Sequence, residues 1–380
     1  MTARPLQRYH LVDISRGAAA LAVLIYHYQH FYFPQAGVDP IAGDSSMLPW
    51  HGALWIFYDY GYWAVQFFWI ISGFVFAATY IDHPVGGGDF FIRRFARLYP
   101  LHFATLILVA VLQFCSSMAV GHEQIYEHND AYHFTLNLFM ASAWGFEKDL
   151  SFNGPVWSLS AEVVVYFVFF WSLPRLRRYP ALTTAIGVFA PLAMLAQHVA
   201  SPVVQCAFLF YLGVAVFLLL RKSVTLAIVG AVSALLFVSV AQALPIPVSF
   251  QVVVAFIGLV LVTAIIDTTG IYRSGWLKWF GDATYGSYLL HVPLQIAINT
   301  TLDFFRINRP EVASNPLCLV AFVGVVFGLA ALSFRYFEKP FDQGIRKRYA
   351  RLGLSARYSG TFIRSADVPG QGTSDIRTDP

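Results

Sequence analysis

The sequence contains few charged residues. Lys, Arg, Asp and Glu make up 12% of its 380 residues, whereas hydrophobic residues make up 57% and aromatic residues 17%. A soluble domain carries about twice that share of charge, so the charge present cannot cover a surface that faces water. This composition argues against a soluble protein of two or three domains and favours one polytopic membrane domain.

Cysteine is also scarce, and the net charge is small. Cys115, Cys206 and Cys318 lie in separate apolar segments, so they predict neither a disulfide framework nor a metal site. The formal net charge is +4, and its basic residues lie in loops, which gives no support for nucleic-acid binding. We therefore expect no metal and no nucleic-acid partner.

Long apolar runs are abundant. A membrane-spanning helix needs about 20 predominantly apolar residues. The first run follows a basic N-terminus but contains Arg16 and lacks a convincing cleavage site, so it is interpreted as a retained helix. The run 133–145 is too short to span and is expected to be re-entrant or interfacial. The ten predicted spans are 13–33, 61–81, 100–120, 156–174, 180–200, 203–220, 224–243, 249–267, 279–301 and 316–336.

The positions of Lys and Arg predict the orientation of these spans. If the N-terminus is cytoplasmic, the outer loops carry only Lys148, Arg306 and Arg309. This positive-inside asymmetry predicts an all-α polytopic membrane protein of about ten helices with both termini cytoplasmic. We predict a membrane domain over 9–342 and a polar, disordered cytoplasmic tail over 343–380. The inner segments carry Arg4, Arg8, Arg93, Arg94, Arg97, Arg175, Arg177, Arg178, Arg221, Lys222, Arg273, Lys278 and the cluster from Lys339 to Arg351.

Three ionisable residues lie in the first predicted span, DISRGAAALAVLIYHYQHF. Arg16 and His27 are separated by close to three helical turns, so they share a face, roughly 16 Å apart along the axis. Asp13 lies on the same side and is expected to orient Arg16. An alternative for His27 is a histidine that packs against a neighbouring helix. An alternative for Arg16 is a side chain that extends from the end of the helix to the membrane–water interface. The shared face favours a functional role, because ionisable residues inside membranes usually line a site or a pathway.

The stretch FIRRFARLYPLH is a second concentration of charge. Arg93, Arg94 and Arg97 precede a span on the cytoplasmic side, and guanidinium groups can bind phosphate oxygens in bidentate fashion. The alternative is ordinary topology determination, since such loops are basic anyway. Arg94 and Arg97 share a face if the helix begins before them; Pro100 is the other possible start.

Glu162 lies in NGPVWSLSAEVVVYF, which begins the fourth span from the outside. The helix N-terminal dipole favours a carboxylate by under about 1 kcal/mol, which does not readily offset burial among valines. A histidine at similar depth is a better partner, and His27 is the candidate. A carboxylate beside an imidazole holds its tautomer as a base orienter does. This expected pair rests on depth alone.

Three further apolar stretches carry polar residues. FFWIISGF places Ser72 beside Gly73, where close packing of helices through small residues is the alternative reading. GDATYGSYLLH places Tyr288 and His291 in the ninth span, and for His291 both packing and the lining of a polar channel stay open. RYFEKPF carries Glu338 near the inner surface.

The motifs DISRG with His27, FFWIISGF, RRFARLYP, VWSLSAE, YGSYLLH and RYFEKPF occur in that order. In order and spacing they resemble the acyltransferase 3 family of integral-membrane O-acyltransferases, over residues 9 to about 342. The resemblance implies an acyl-CoA donor and acyl transfer, most often of acetyl, to a hydroxyl of a carbohydrate or related acceptor outside the cytoplasm. It implies no cofactor beyond the donor. Some members carry an extra hydrolase-like domain, and we expect no room for one in these 380 residues.

The resemblance also implies roles for residues. His27 is the expected catalytic residue, paired with Arg16. Arg94 and Arg97 match the family's arginine pair, and Glu162 matches its acidic residue. We expect the arginines to hold the CoA phosphates at the inner surface of the cell (inner) membrane, with the thioester reaching His27. Direct transfer and a covalent acyl-histidine or acyl-serine intermediate both stay open.

Supporting roles are assigned more loosely. Ser72, Ser158 and Tyr288 are candidates for oxyanion stabilisation, and His291 is a supporting residue. The alternative function is a transporter of acyl groups, lipid-linked sugars or small anions. The lack of a broken-helix pair in matching halves counts against transport. A purely structural scaffold leaves the buried charge unexplained.

Overall fold

The computed structural model describes residues 9–39, 41, 45–271 and 278–354. Arg4, Arg8 and Arg273, which the orientation argument uses, lie outside these ranges, and so does the predicted tail from residue 355 onward. All regular structure in the described residues is helical, which confirms the all-α prediction.

Fifteen α-helices are present in the described part of the chain, with short 3₁₀ turns at Tyr28–Phe31 and Gly61–Trp63 and a π-helical turn at Phe334–Glu338. The α-helices are α1 His10–His27, α2 His51–Tyr60, α3 Ala64–Tyr80, α4 Gly87–Val120, α5 Ala131–Leu138, α6 Val156–Arg178, α7 Pro180–Ala196, α8 Pro202–Lys222, α9 Val224–Ala241, α10 Val248–Thr269, α11 Lys278–Asp282, α12 Thr284–Phe304, α13 Arg309–Ala313, α14 Pro316–Ser333 and α15 Lys339–Arg351.

All ten predicted spans fall on helices. Seven helical stretches in the described ranges are long and apolar enough to cross a membrane, so the chain is a polytopic membrane protein. The count of ten and the cytoplasmic termini stay predictions, because α7 is apolar but short and α1 and α12 carry polar residues. The seven stretches are His51–Tyr80, Gly87–Val120, Val156–Arg178, Pro202–Lys222, Val224–Ala241, Val248–Thr269 and Pro316–Arg351.

Two helix boundaries bear on the predictions: the first decides between the two starts left open for α4, and the second differs from the predicted tail. Helix α4 begins at Gly87, so Pro100 lies inside it and the three arginines lie in its first turns. At the other end of the chain, α14 continues through the π-helical turn into α15, which ends at Arg351. Residues 343–351, expected to belong to the polar tail, are therefore helical.

The centre of the membrane part is the contact between α3 and α8. A Cβ atom added to Gly73 falls 1.8 Å from the Phe210 carbonyl oxygen, and one added to Gly213 falls 1.9 Å from the Ile70 carbonyl oxygen. Small residues let helix backbones approach this closely in membranes. Gly73 therefore serves packing, whereas its neighbour Ser72 lines a cavity.

Helix α1 lies among α2, α3, α10, α11 and α12 and is fixed at its start by Asp267 of α10. The Asp267 carboxylate accepts hydrogen bonds from the backbone N–H groups of Leu11, at 2.9 and 3.0 Å, and Val12, at 3.3 Å. A carboxylate at a helix N-terminus satisfies free N–H groups and complements the helix dipole. This contact fixes α1 along its axis and therefore fixes the depth of Arg16 and His27 in the helix bundle.

Candidate active site

His27 is the last residue of α1 and contacts His291 of α12. The distance from His27 Nδ1 to His291 Nε2 is 3.0 Å, and the two rings stack with centroids 5.0 Å apart. His291 is fully buried, whereas His27 is only partly buried. Of these two rings, His27 is therefore the one that a substrate can reach.

The hydrogen bonds around His291 determine which nitrogen of His27 is free. His291 Nδ1 lies 3.1 Å from the Ser287 carbonyl oxygen, which can only accept, so Nδ1 carries the hydrogen. In a neutral ring, His291 Nε2 then carries the lone pair and accepts from His27 Nδ1–H. This leaves the lone pair of His27 on Nε2, where it can act as a general base.

Polar side chains of α12 also hold the backbone where α1 ends. Gln295 Nε2 donates to the His27 carbonyl oxygen at 2.7 Å, and its Oε1 lies 3.2 Å from His30 Nδ1. Asn299 Nδ2 donates to the His30 carbonyl oxygen at 3.0 Å. The last carbonyls of a helix lack partners within it, so these amides fix the position of His27. We call His27, His30 and His291 the histidine cluster.

Glu162 does not lie in this cluster. Its carboxyl group is within hydrogen-bonding reach of Ser72 and Tyr166, and within electrostatic range of Arg16 and Arg94. One of its oxygens, Oε1, is buried without a hydrogen-bond partner among the described residues. We call Arg16, Arg94 and Glu162 the arginine–glutamate cluster.

The expected pairing of Glu162 with His27 is therefore wrong, because His291 occupies that position. The prediction counted residues from each helix end and assumed that α1 and α6 cross at the same level. Glu162 instead reaches the level of Arg16. Along the continuous helix α1, Arg16 is roughly 16 Å from His27, which is too far for a direct bond between the two clusters.

The predicted donor-binding arginines have different partners. Arg97 Nη1 lies 3.3 Å from Glu338 Oε2, and the Glu338 side chain is 2% exposed. Arg94 Nη2 donates to the Tyr80 hydroxyl at 3.2 Å, and its guanidinium lies 4.9 Å from the centroid of the Phe76 ring. Arg16 pairs with Asp13 at 3.7 Å, the contact that the sequence led us to expect. Of the two predicted donor-binding arginines in α4, Arg97 is thus the more strongly neutralised.

A cavity of about 100 Å³ is lined by Arg16 and Glu162 of the arginine–glutamate cluster, and no described histidine lines it. Tyr288 also lines it, and the Tyr288 ring centroid lies 6.1 Å from that of His291, so the cavity extends toward the histidine cluster. Ser72 and Ser158 also line it. The Tyr288 and Ser158 hydroxyls lie 2.6 Å apart and both lie near the Pro155 carbonyl oxygen, at 2.8 and 3.1 Å. Either hydroxyl must leave that carbonyl before it can donate to a ligand.

The structure adds residues that the sequence interpretation did not name, chiefly His30, Gln295 and Asn299. A signal for two of them was present. Ser287, His291, Gln295 and Asn299 recur every four residues, which places them on one face of a helix, and all four are buried. A buried polar stripe in a membrane helix indicates a partner with matching polar groups, which here is the end of α1.

Comparisons with known proteins show the family of the chain. A family model described as an acyltransferase domain matches residues 9–335. A Rhizobium radiobacter protein, "Protein 2 in picA locus", is 28% identical over 205 residues, covering 49% of this chain and 94% of its own length. Acyltransferase MdmB of Streptomyces mycarofaciens is 31% identical over 109 residues, covering 28% of this chain and 27% of its own length. No solved structure matches the chain significantly.

Proposed function

This chain belongs to the acyltransferase 3 family, and on that premise we propose that it transfers an acyl group, acetyl in the simplest case, from acyl-CoA to a hydroxyl of a carbohydrate outside the cytoplasm. The family and the apolar helices make it a membrane acyltransferase. The donor, the acceptor, the inner-membrane location and the residue roles are the proposal.

The observation that carries the proposal is the orientation of His27. Its Nδ1 is bonded to His291, so Nε2 presents a lone pair from a partly exposed ring. An acceptor hydroxyl that gives its proton to this nitrogen becomes a nucleophile at the thioester carbon. As the new C–O bond forms, the C–S bond breaks, and the proton on His27 passes to the departing CoA sulfur.

The arginine–glutamate cluster is proposed to bind the donor. The CoA phosphates are anionic, and arginine recognises phosphate through paired N–H donors. Arg16 and Arg94 are the less tightly neutralised cations: Arg16 contacts the exposed Asp13 carboxylate at 3.7 Å, whereas Arg97 is paired with the buried Glu338 at 3.3 Å. Glu162 offsets part of their charge and holds them together, which gives it a positioning role instead of the base-orienting role expected from the sequence.

The cavity that extends from the arginine–glutamate cluster toward the histidine cluster gives the donor a route to His27. The roughly 16 Å along α1 from Arg16 to His27 is on the order of the length of a pantetheine arm. Ligand pockets usually enclose about 300–1,000 Å³, so the cavity of about 100 Å³ must widen as the donor enters. The Tyr288 and Ser158 hydroxyls on its wall are proposed to turn from Pro155 toward the developing oxyanion.

The experiment that tests this function uses the protein in nanodiscs with radiolabelled acetyl-CoA and a panel of cell-envelope glycans. We expect label to pass to a glycan with the wild type and not with His27→Ala. The control variant is His198→Asn, which changes a histidine in the α7–α8 loop outside the site. Transfer by His27→Ala at the wild-type rate refutes the mechanism. Transport of acyl groups without transfer indicates the transporter instead.

A further inference from the structure

A second group of ionisable side chains lies in the loop between α4 and α6, apart from the active site. His128, Asp130 and His133 each offer one ligating atom, and these three atoms lie within 4.8 Å of one another. The positive-inside pattern predicts this loop to be outside the membrane. The scattered cysteines led us to expect no metal, but the ligating pattern here is His-x-Asp-x-x-His and contains no cysteine.

Each histidine of the group already contacts a carboxylate at close to the spacing of metal ligands. His133 Nδ1 lies 2.9 Å from both Asp130 oxygens, and His128 Nε2 lies 3.4 Å from Asp149 Oδ2. Nitrogen and oxygen ligands about 2.0–2.2 Å from a tetrahedral zinc ion are roughly 3.3 Å from one another. Each pair brings one imidazole nitrogen and one carboxylate oxygen together. The ligating atoms of His128, Asp130 and His133 share one site, and the exposed Asp149 carboxylate lies beside His128.

The backbone fixes one half of the group before any ion binds. Asp130 is the N-cap of α5, and its carboxylate accepts from the His133 backbone N–H at 2.9 Å. The His133 side chain is 5% exposed whereas that of Asp130 is 57% exposed, so the group has one buried imidazole and an edge that an ion can reach from solvent.

His133 can move toward an ion at little cost. Its second ring nitrogen, Nε2, is buried without a hydrogen-bond partner in the part of the chain that the structure describes. In that part of the chain the His133 ring is hydrogen-bonded to Asp130 alone, and Asp130 belongs to the same group. The rings of His128 and His133 stack with centroids 5.0 Å apart, and Glu147 lies within electrostatic range of both. Three carboxylates around two imidazoles favour a cation.

We propose that His128, Asp130 and His133 bind one divalent metal ion of the zinc type, and that the exposed Asp149 carboxylate turns toward the ion as the fourth ligand. Imidazole ligands select such borderline ions over Mg²⁺ and Ca²⁺, which prefer all-oxygen sites. The ion joins the start of the loop to the segment that leads into α6. In that segment Asn153 Nδ2 donates to the Leu289 carbonyl oxygen at 2.8 Å, so the clamp holds the loop against the helix that carries His291.

The test measures zinc on the full chain, purified without a polyhistidine tag. The protein in nanodiscs is treated with EDTA, exposed to Zn²⁺, desalted and analysed by mass spectrometry of the metal. We expect about one equivalent per wild-type chain and at least a tenfold loss of affinity in His128→Ala and Asp130→Asn, since even outer-shell changes cost about 10–100-fold. His198→Asn is the control and should bind as the wild type does.

Two further measurements on the wild type test the proposal even if a variant folds poorly. Zinc should raise the thermal unfolding midpoint of the wild type and slow proteolysis of the loop, because a ligand that binds only the folded state stabilises it. X-ray absorption of the zinc-loaded wild type should show two imidazole ligands. Wild-type protein that binds no zinc above background, or that binds it equally after His128→Ala, overturns the proposal.

Discussion

His27 Nδ1 lies 3.0 Å from His291 Nε2, and the Ser287 carbonyl determines the direction of the hydrogen bond between them. The two histidines are 264 residues apart in the sequence, on the first and twelfth helices. Their contact joins the end of α1 to the buried polar stripe of α12. The proposed chemistry depends on this contact, because it leaves the lone pair of His27 on the nitrogen that faces away from His291.

The first prediction concerns His291→Gln. A glutamine amide can turn either its oxygen or its NH2 group toward His27, so His27 is no longer held in the tautomer that has its lone pair on Nε2. We expect kcat to fall roughly 10²- to 10⁴-fold, the usual range for general-base catalysis, with KM for acyl-CoA nearly unchanged. The measurement is steady-state transfer per folded protein, and the control is His102→Gln, a buried histidine bonded to the Asn137 carbonyl. If His291→Gln lowers the yield of folded protein but leaves kcat unchanged, His291 does not position His27 for catalysis.

The second prediction separates Glu162 from His27. Glu162→Gln keeps the shape of the side chain and removes the charge that lies between Arg16 and Arg94. We expect KM for acyl-CoA to rise, because the two guanidinium groups lose the anion that holds them together, while kcat changes by less than about tenfold. The kinetics are measured beside His291→Gln. If Glu162→Gln lowers kcat as much as His291→Gln does, the result supports the direct pairing of Glu162 with His27 that the sequence predicted.

These two residues show how far a single sequence predicts the site. The common face of Arg16 and His27 follows from helix geometry, and both lie on the continuous helix α1. The level of Glu162 could not be found by counting along α6, because it depends on how α6 packs against α1. The same holds for Arg97 and Glu338, which are 241 residues apart: the sequence named both, and only the fold brings them together.

The third prediction concerns that ion pair. Removing Arg97 leaves a buried carboxylate without its partner, and breaking a buried pair from one side costs about 3–5 kcal/mol. We therefore expect Arg97→Met to lower the free energy of unfolding more than the double variant Arg97→Met/Glu338→Leu does. A double-mutant cycle, measured as free energies of unfolding in detergent, gives the coupling free energy between Arg97 and Glu338.

The matched control pair for this cycle is Asp342 and Arg346, an i,i+4 pair on α15 that is 2.6 Å apart and more exposed. Surface pairs of this kind contribute about 0–1 kcal/mol, so its cycle should give a small coupling. Equal couplings for the two pairs contradict the assignment of Arg97 and Glu338 as a buried structural pair.

The fourth prediction tests the contact between α3 and α8. In Gly73→Ala the new methyl group meets a backbone carbonyl oxygen, not a mobile side chain. The helices must separate, and we expect a loss of about 1–3 kcal/mol with a lower thermal midpoint. Transfer activity should fall as well, because the adjacent Ser72 lines the cavity.

The control is Gly328→Ala in α14, where nothing lies within 4 Å of the added atom. There alanine should be neutral or stabilising by up to about 1 kcal/mol. If both variants unfold at the wild-type midpoint, the close approach of α3 and α8 does not exist in the membrane.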